Sequence, residues 1–126
     1  TGMPAGIGEP IFNKLQAELA FAVMSINACK GFEYGTGFGG VTKSGSEINH
    51  ISGGIAGGIS DGTNITFRCV FKPTPTTPKA FVHRTSSLCT SSDQPAMVGR
   101  HDACVAVRAV PVVEAMTALC LVQYDL

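Results

Sequence analysis

Residues 10–31 read PIFNKLQAELAFAVMSINACKG. Phe12, Leu15, Leu19, Ala22, Val23 and Ile26 recur at helical spacing, so the stretch predicts a helix with an apolar stripe. Pro10 suits a first helical turn, where its missing N–H costs nothing, and Gly31 suits the C-cap. Ile11, Phe21 and Met24 widen the stripe beyond one face. Such a helix is expected to be covered on more than one side.

Upstream, Gly6-Ile7-Gly8-Glu9-Pro10 predicts a loop feeding this helix. Downstream, Phe32-Glu33-Tyr34 begins a short alternating strand that runs into Gly35, Gly37, Gly39 and Gly40. Residues 41–52 are polar and predict irregular chain. Ile65, Phe67, Cys69 and Phe71 alternate with Thr66, Arg68 and Val70, which is the clearest strand. Pro73, Pro75 and Pro78 forbid a central strand and predict an extended loop. Residues 85–95 predict a polar loop, and 104–107 a short strand or close approach. Pro111 is expected to open a second helix, with Val112, Val113, Met116, Leu119 and Cys120 as its apolar face. The fold class is α+β: apolar helices with antiparallel strands.

The 126 residues suit one domain. Charged residues make up only 14%, against about 25% in soluble domains, and mean hydropathy is +0.24. A small domain has more surface to solvate, not less. The chain is therefore expected to belong to a larger core or an oligomer with broad apolar interfaces. The opening Thr1-Gly2-Met3-Pro4, which is neither a start nor a leader, favours the larger core.

Net charge is zero, so no basic stripe can neutralise a phosphate backbone and nucleic acid is an unsuitable partner. The longest apolar run is far short of a membrane span. Five cysteines are scattered without a CxxC pair, which fits neither a disulfide framework nor a zinc site. They are expected to be reduced, mostly buried thiols of an intracellular protein.

Five segments present chemistry. In Gly53-Gly54-Ile55-Ala56-Gly57-Gly58-Ile59-Ser60, glycine pairs four apart bare the backbone, either for close packing or for a phosphate or flat ring. No Gly-Lys-Ser/Thr follows, so it is not a P-loop, and a nucleotide-phosphate switch there would lack its lysine. Lys72-Pro73-Thr74-Pro75-Thr76 presents one cation and two hydroxyls on stiff backbone, which suits an anion or a heterocycle edge as well as a solvated loop. Gly99-Arg100-His101-Asp102 concentrates a guanidinium, an imidazole and a carboxylate, an anion clamp beside a proton carrier. Arg108, just before the second predicted helix, reads as a clamp or a surface pair. Asn27, near the end of the first helix, reads as a cap or a ligand contact. His50 has no second ligand at metal spacing, so no metal site is expected.

In order along the chain, GIGEP (residues 6–10), SINACKGFEYGTGF (25–38), GSE (45–47), NHISGGIAGGISDG (49–62), FKPTPT (71–76) and GRHDACVAVRAVPVVEAM (99–116) resemble chorismate synthase over nearly all of residues 2–126. The resemblance implies an α+β fold of long helices sandwiched between antiparallel sheets, with residues 1–126 forming one unit, its C-terminal portion. It implies a lyase of aromatic amino acid biosynthesis, in the shikimate pathway. That enzyme removes phosphate from 5-enolpyruvylshikimate 3-phosphate by 1,4-anti elimination, giving chorismate. Reduced FMN is the implied cofactor. NADPH enters as a source of reducing equivalents, and reduction within the protein or by an outside reductase both fit. The implied assembly is a homotetramer, in the cytoplasm or equally a plastid.

Carried over motif by motif, flavin contacts fall on Asn27 and Ala28, Gly57, Lys72, Pro73, Thr74, Pro75, Thr76 and Arg100. Asp102 is the implied proton relay near flavin N5. Three departures stand out. Ala103 replaces the family's proline after Asp102. The loop between Glu47 and Asn49-His50 is shorter than in relatives. The N-terminal two-thirds, with two proton-transfer histidines and most substrate-binding arginines, is missing. The 126 residues alone are therefore expected to have negligible turnover. The competing expectation is a non-catalytic truncated homologue, a folding or oligomerisation module without flavin. Keeping Lys72, Arg100 and Asp102 together argues against it, since a scaffold has no need of that trio.

Overall fold

A computed structural model describes residues 1–48, 51–74, 81–83, 92–94 and 104–124. Its elements are α1 (Leu15–Met24), β1 (Cys29–Tyr34), a 3-10 helix (Gly37–Thr42), α2 (Gly45–Ile48), β2 (Ile55–Ala56), β3 (Ile59–Ser60), β4 (Phe67–Phe71), β5 (Phe81–His83), β6 (Ser92–Gln94) and α3 (Ala106–Val122). The strands pair antiparallel as β1–β4, β2–β3 and β5–β6. The class is α+β.

Helix α1 is the hub. It packs against α3 and also against β1, but Ile11, Phe21 and Met24, the residues that widen its stripe and led to the expectation of cover on more than one side, are exposed. Leu15, Leu19 and Val23, spaced four apart, are fully buried. Met3, Ala22, Ile55 and Cys120 complete the centre of the core, with Phe32, Ile65 and Met116 packed around it. Met3 and Ile55 reach α1 through the chain before it and the glycine hairpin after β1.

The helix starts later than Pro10. Asn13 takes a left-handed φ of 55° and Lys14 is extended, with no side-chain cap. The first helical amide, Leu15 N–H, instead donates to the carbonyl of Gly58 at 2.8 Å. A tertiary contact thus serves an amide that the sequence leaves without a cap. The helix also does not end at Gly31. Ala28, at φ 71°, reverses the chain, and Gly31 lies inside β1 opposite Val70.

Strand β4 keeps the expected alternation, with Phe67, Cys69 and Phe71 half-buried and Arg68 and Val70 exposed. Arg68 faces Glu33 across the β1–β4 ladder and pairs with it at 2.6 Å. Glu33 also accepts from Phe38 N–H at 3.0 Å, anchoring the start of the 3-10 helix. Within residues 41–52, expected to be irregular, the end of the 3-10 helix and α2 are regular structure. Glu47 accepts from both the amide and the hydroxyl of Ser44, so only the carboxylate half of a capping box forms at the start of α2.

Two further expectations need correction. Pro111 lies inside α3, which begins at Ala106, so 104–107 form no strand. Ala109 N–H bonds Val105 O at 3.1 Å to close the first turn. The carbonyl left without its donor by Pro111 belongs to Val107, a residue 75% exposed, where water can take it up. Ser92–Gln94, read as part of a polar loop, pairs with Phe81–His83. Pairing with the preceding strand, not propensity, makes that strand.

No helix among the described residues is long and apolar enough to cross a membrane. Several large apolar side chains are nevertheless exposed, including Phe12, Phe21 and Phe38 and, on α3, Val107, Leu119 and Val122.

Candidate functional site

The glycine hairpin and the loop before α1 meet at the start of that helix. Ile55 pairs with Ser60 and Ala56 with Ile59, leaving Gly57-Gly58 as the turn. Both have positive φ, 63° and 102°, the condition for a tight two-residue hairpin. A Cβ at Gly53, Gly54 or Gly58 would strike neighbouring chain, whereas one at Gly57 would meet nothing within 4 Å. Three of the four glycines are therefore explained by packing. Gly57 alone is bare toward open space. The loop at residues 4–7 docks here: Gly6 N–H donates to Ser60 O at 2.9 Å, and the Ser60 hydroxyl donates to Pro4 O at 2.6 Å.

Asn27, Ala28 and the start of the Lys72 segment form the other end. Cys29 stands opposite Phe71 in the ladder, and one step beyond it Lys72 N–H donates to Ala28 O at 2.9 Å. Two segments far apart in sequence are thus joined by one backbone bond. Ala28 pays for its left-handed φ with about 1–2 kcal/mol of backbone strain. The flanking bonds, Lys72 N–H to Ala28 O and Cys29 N–H to Ile26 O, hold it there. Asn27 and Lys72 are exposed, and Thr74 is half-buried. The Thr74 hydroxyl oxygen is shielded from solvent and has no hydrogen-bond partner among the described residues.

Of the expected contacts, the structure brings together Asn27, Ala28, Lys72, Pro73 and Thr74. Gly57 lies at the opposite end of α1, whose ten residues span about 15 Å. Pro75, Thr76, Arg100, Asp102, Ala103 and His50 lie outside the described residues, as does most of the 47–50 loop.

Two concavities adjoin these groups. The larger, about 710 Å³, runs beside α1 and β1 from Ala20 to Ala56 and has no cation in its lining. The smaller, about 420 Å³, lies between the end of α1, the end of β4 and the first half of α3, and holds Asn27 and Arg108. Volume favours the first and chemistry the second. We favour the second, because an anionic ligand needs donors more than space. Arg108 read equally as a surface pair; its position on α3 facing the end of α1 appears only in the fold.

The described cysteines are free thiols, with Cys29 and Cys120 buried, Cys69 half-buried and Cys104 exposed. Burial raises the pKa of Cys69, with Cys29 adding to it, and burial likewise raises that of Cys120, with Glu18 adding to it. Neither is a thiolate at neutral pH, so neither is a nucleophile.

The geometry defines an α+β chain with a bare glycine turn at one end of its central helix and a donor-lined cavity at the other. Comparison with known proteins specifies it further. A family model for chorismate synthase matches residues 1–126. Chorismate synthase of Christiangramia forsetii is 47% identical over 137 residues, covering 98% of this chain and 38% of that protein. That of Opitutus terrae is 46% identical, covering 98% and 37%. A crystal structure of chorismate synthase is similar with a TM-score of 0.54 at 32% identity, covering 57% of this chain and 27% of that one. The chain belongs to the chorismate synthase family. It spans less than two-fifths of the length of the relatives it matches. The 137-residue alignment exceeds the 126 residues of the chain, so relatives carry additional residues within the matched stretch.

Proposed function

We propose that the protein containing this chain is a chorismate synthase that converts 5-enolpyruvylshikimate 3-phosphate to chorismate and phosphate with reduced FMN. The observation that carries this reading is the bond from Lys72 N–H to Ala28 O, which joins the two segments that resemble the family's flavin contacts, beside a cavity whose lining includes their neighbours Asn27 and Phe71. The residues present fit a flavin. Thr74 offers a buried hydroxyl without a described partner, Asn27 an amide at the cavity wall, and Gly57 a backbone surface with no Cβ above it. A ligand touching both Gly57 and Lys72 must extend along α1, which suits a ring system with a ribityl phosphate tail.

Bound reduced flavin supplies electron density to an allylic centre losing phosphate. In this reading Asn27, Ala28 and Thr74 orient the ring, while Lys72 and Arg100 offset the charge of the FMN phosphate and the anionic substrate. Asp102 accepts and passes on the proton that leaves the substrate. The exposed apolar residues of α1 and α3 are covered in the complete fold, where helices are sandwiched between antiparallel sheets in a cytoplasmic homotetramer.

FMN titrated into the protein is expected to change flavin fluorescence saturably. Replacing Thr74 by Val keeps the shape and removes the hydroxyl, and is expected to weaken FMN binding roughly five- to tenfold, the value of about one hydrogen bond. An unaltered flavin signal would sink the flavoenzyme reading and leave the non-catalytic module. The 126 residues alone are expected to give no chorismate above background, measured by coupled absorbance. Turnover by that piece would show that the missing part is dispensable.

A further inference from the structure

The glycine hairpin is too short to hold its own shape. Strands β2 and β3 meet through two residue pairs, Ile55 with Ser60 and Ala56 with Ile59, and an isolated two-stranded hairpin is marginal in water. Its base carries further ties, and they converge on Asp61. One carboxylate oxygen, Oδ1, accepts from Thr63 N–H at 2.8 Å and from the Thr63 hydroxyl at 2.6 Å. The other, Oδ2, accepts at 2.8 Å from the hydroxyl of Ser52, on the arm that enters the hairpin. Asp61 N–H donates across the same base to Gly54 O at 3.1 Å. The Thr63 hydroxyl, the Thr63 amide and the Ser52 hydroxyl hold the Asp61 carboxyl below the usual carboxylate range, so at neutral pH it stays an acceptor. Beyond this clasp lie Gly57 and Gly58, whose backbone no side chain restrains. The Gly58 carbonyl accepts from Leu15 N–H, so the turn is held there and at the base.

We infer that Asp61 is the positioning residue of the Gly57 turn: by clasping Ser52 to the end of β3 it fixes the bare backbone on which a flat ligand lies. Four residues of extended chain, about 13 Å, separate it from Gly57, so it acts through the turn and not on the ligand. The inference rests on the proposed function for the identity of that ligand, FMN, and adds a residue outside the flavin contacts.

The test is Asp61→Ala in the complete protein, well below its melting temperature, where the chain stays folded and a change in global stability leaves affinity unmoved. FMN affinity is expected to fall roughly fivefold, because a loosened turn keeps the competent shape for about a fifth of the time, with kcat at saturating FMN unchanged. Asp61→Asn is expected to stay within about twofold, since its amide keeps an oxygen for Thr63 and can donate to the Ser52 hydroxyl. Ser52→Ala is expected to weaken FMN binding and to add little to Asp61→Ala, because the two changes cut one link. Hydrogen exchange reads the turn without ligand. The Leu15 amide, bonded to Gly58 O, is expected to exchange faster in Asp61→Ala while the amides of α3 do not change. Where the unsubstituted protein binds FMN, equal affinity in Asp61→Ala overturns the inference, as does exchange accelerated equally throughout the chain. If neither protein binds FMN and the Leu15 amide alone is faster in Asp61→Ala, the proposed function falls while Asp61 remains the residue that positions the turn.

Discussion

Replacing Leu19 by alanine is expected to destabilise the protein by about 2–5 kcal/mol, the range for truncating a buried leucine. Leu19 is fully buried between Leu15 and Val23, on the helix that touches both α3 and β1. A void there cannot close by movement of one neighbour, because the elements on either side are held independently. The Gly58 carbonyl holds the start of α1 at Leu15, and the Tyr124 hydroxyl ties the end of α3 to Asn13 O at 3.2 Å. The cost is therefore expected toward the upper part of the range, with the melting temperature lowered by roughly 10 °C or more. Lys43→Ala, at an exposed position, is expected to stay within about 0.5 kcal/mol. Thermal melts of the two variants side by side check this. Equal melting points would remove α1 from the centre of the core.

Lys72→Met is expected to weaken FMN binding roughly ten- to hundredfold while leaving the fold intact. Methionine keeps the backbone N–H that bonds Ala28 O, so the junction of the two segments survives. Only the ammonium of an exposed side chain is lost. A hydrogen bond to a charged partner contributes about 1.5–3 kcal/mol, which sets the fold-change. Affinity of the unsubstituted protein is also expected to drop more steeply with added salt than that of the variant. Fluorescence titration at two ionic strengths reads both effects. Affinities within twofold of one another would mean that Lys72 faces solvent rather than ligand.

The legible parts of the fold are those whose burial follows a local period. Phe67, Cys69 and Phe71 alternate because one face of β4 packs inward. Leu15, Leu19, Ala22 and Val23 repeat because one stripe of α1 does. Boundaries were not legible. Pro10 and Pro111 each looked like a helix start, yet α1 begins at Leu15 and α3 at Ala106. The start of α1 is governed by a carbonyl on the distant glycine hairpin, and a Pro within α3 is tolerated where its turn faces water. At the candidate site the motifs were legible as strings and their grouping was not. The glycine run reads as one bare surface, but three of its four glycines serve packing and only Gly57 stays open.

Residue type and spacing were enough to determine the α+β class, the core-facing stripe of α1, the inward face of β4 and the family motifs, because each rests on local order along the chain. Tertiary structure alone decided that Lys72 joins Ala28 and that Arg108 shares a cavity wall with Asn27 at one end of α1, while Gly57 lies at the other. Those neighbours are brought together by ladder pairing and antiparallel helix packing across long stretches of chain, and no local pattern encodes such distances.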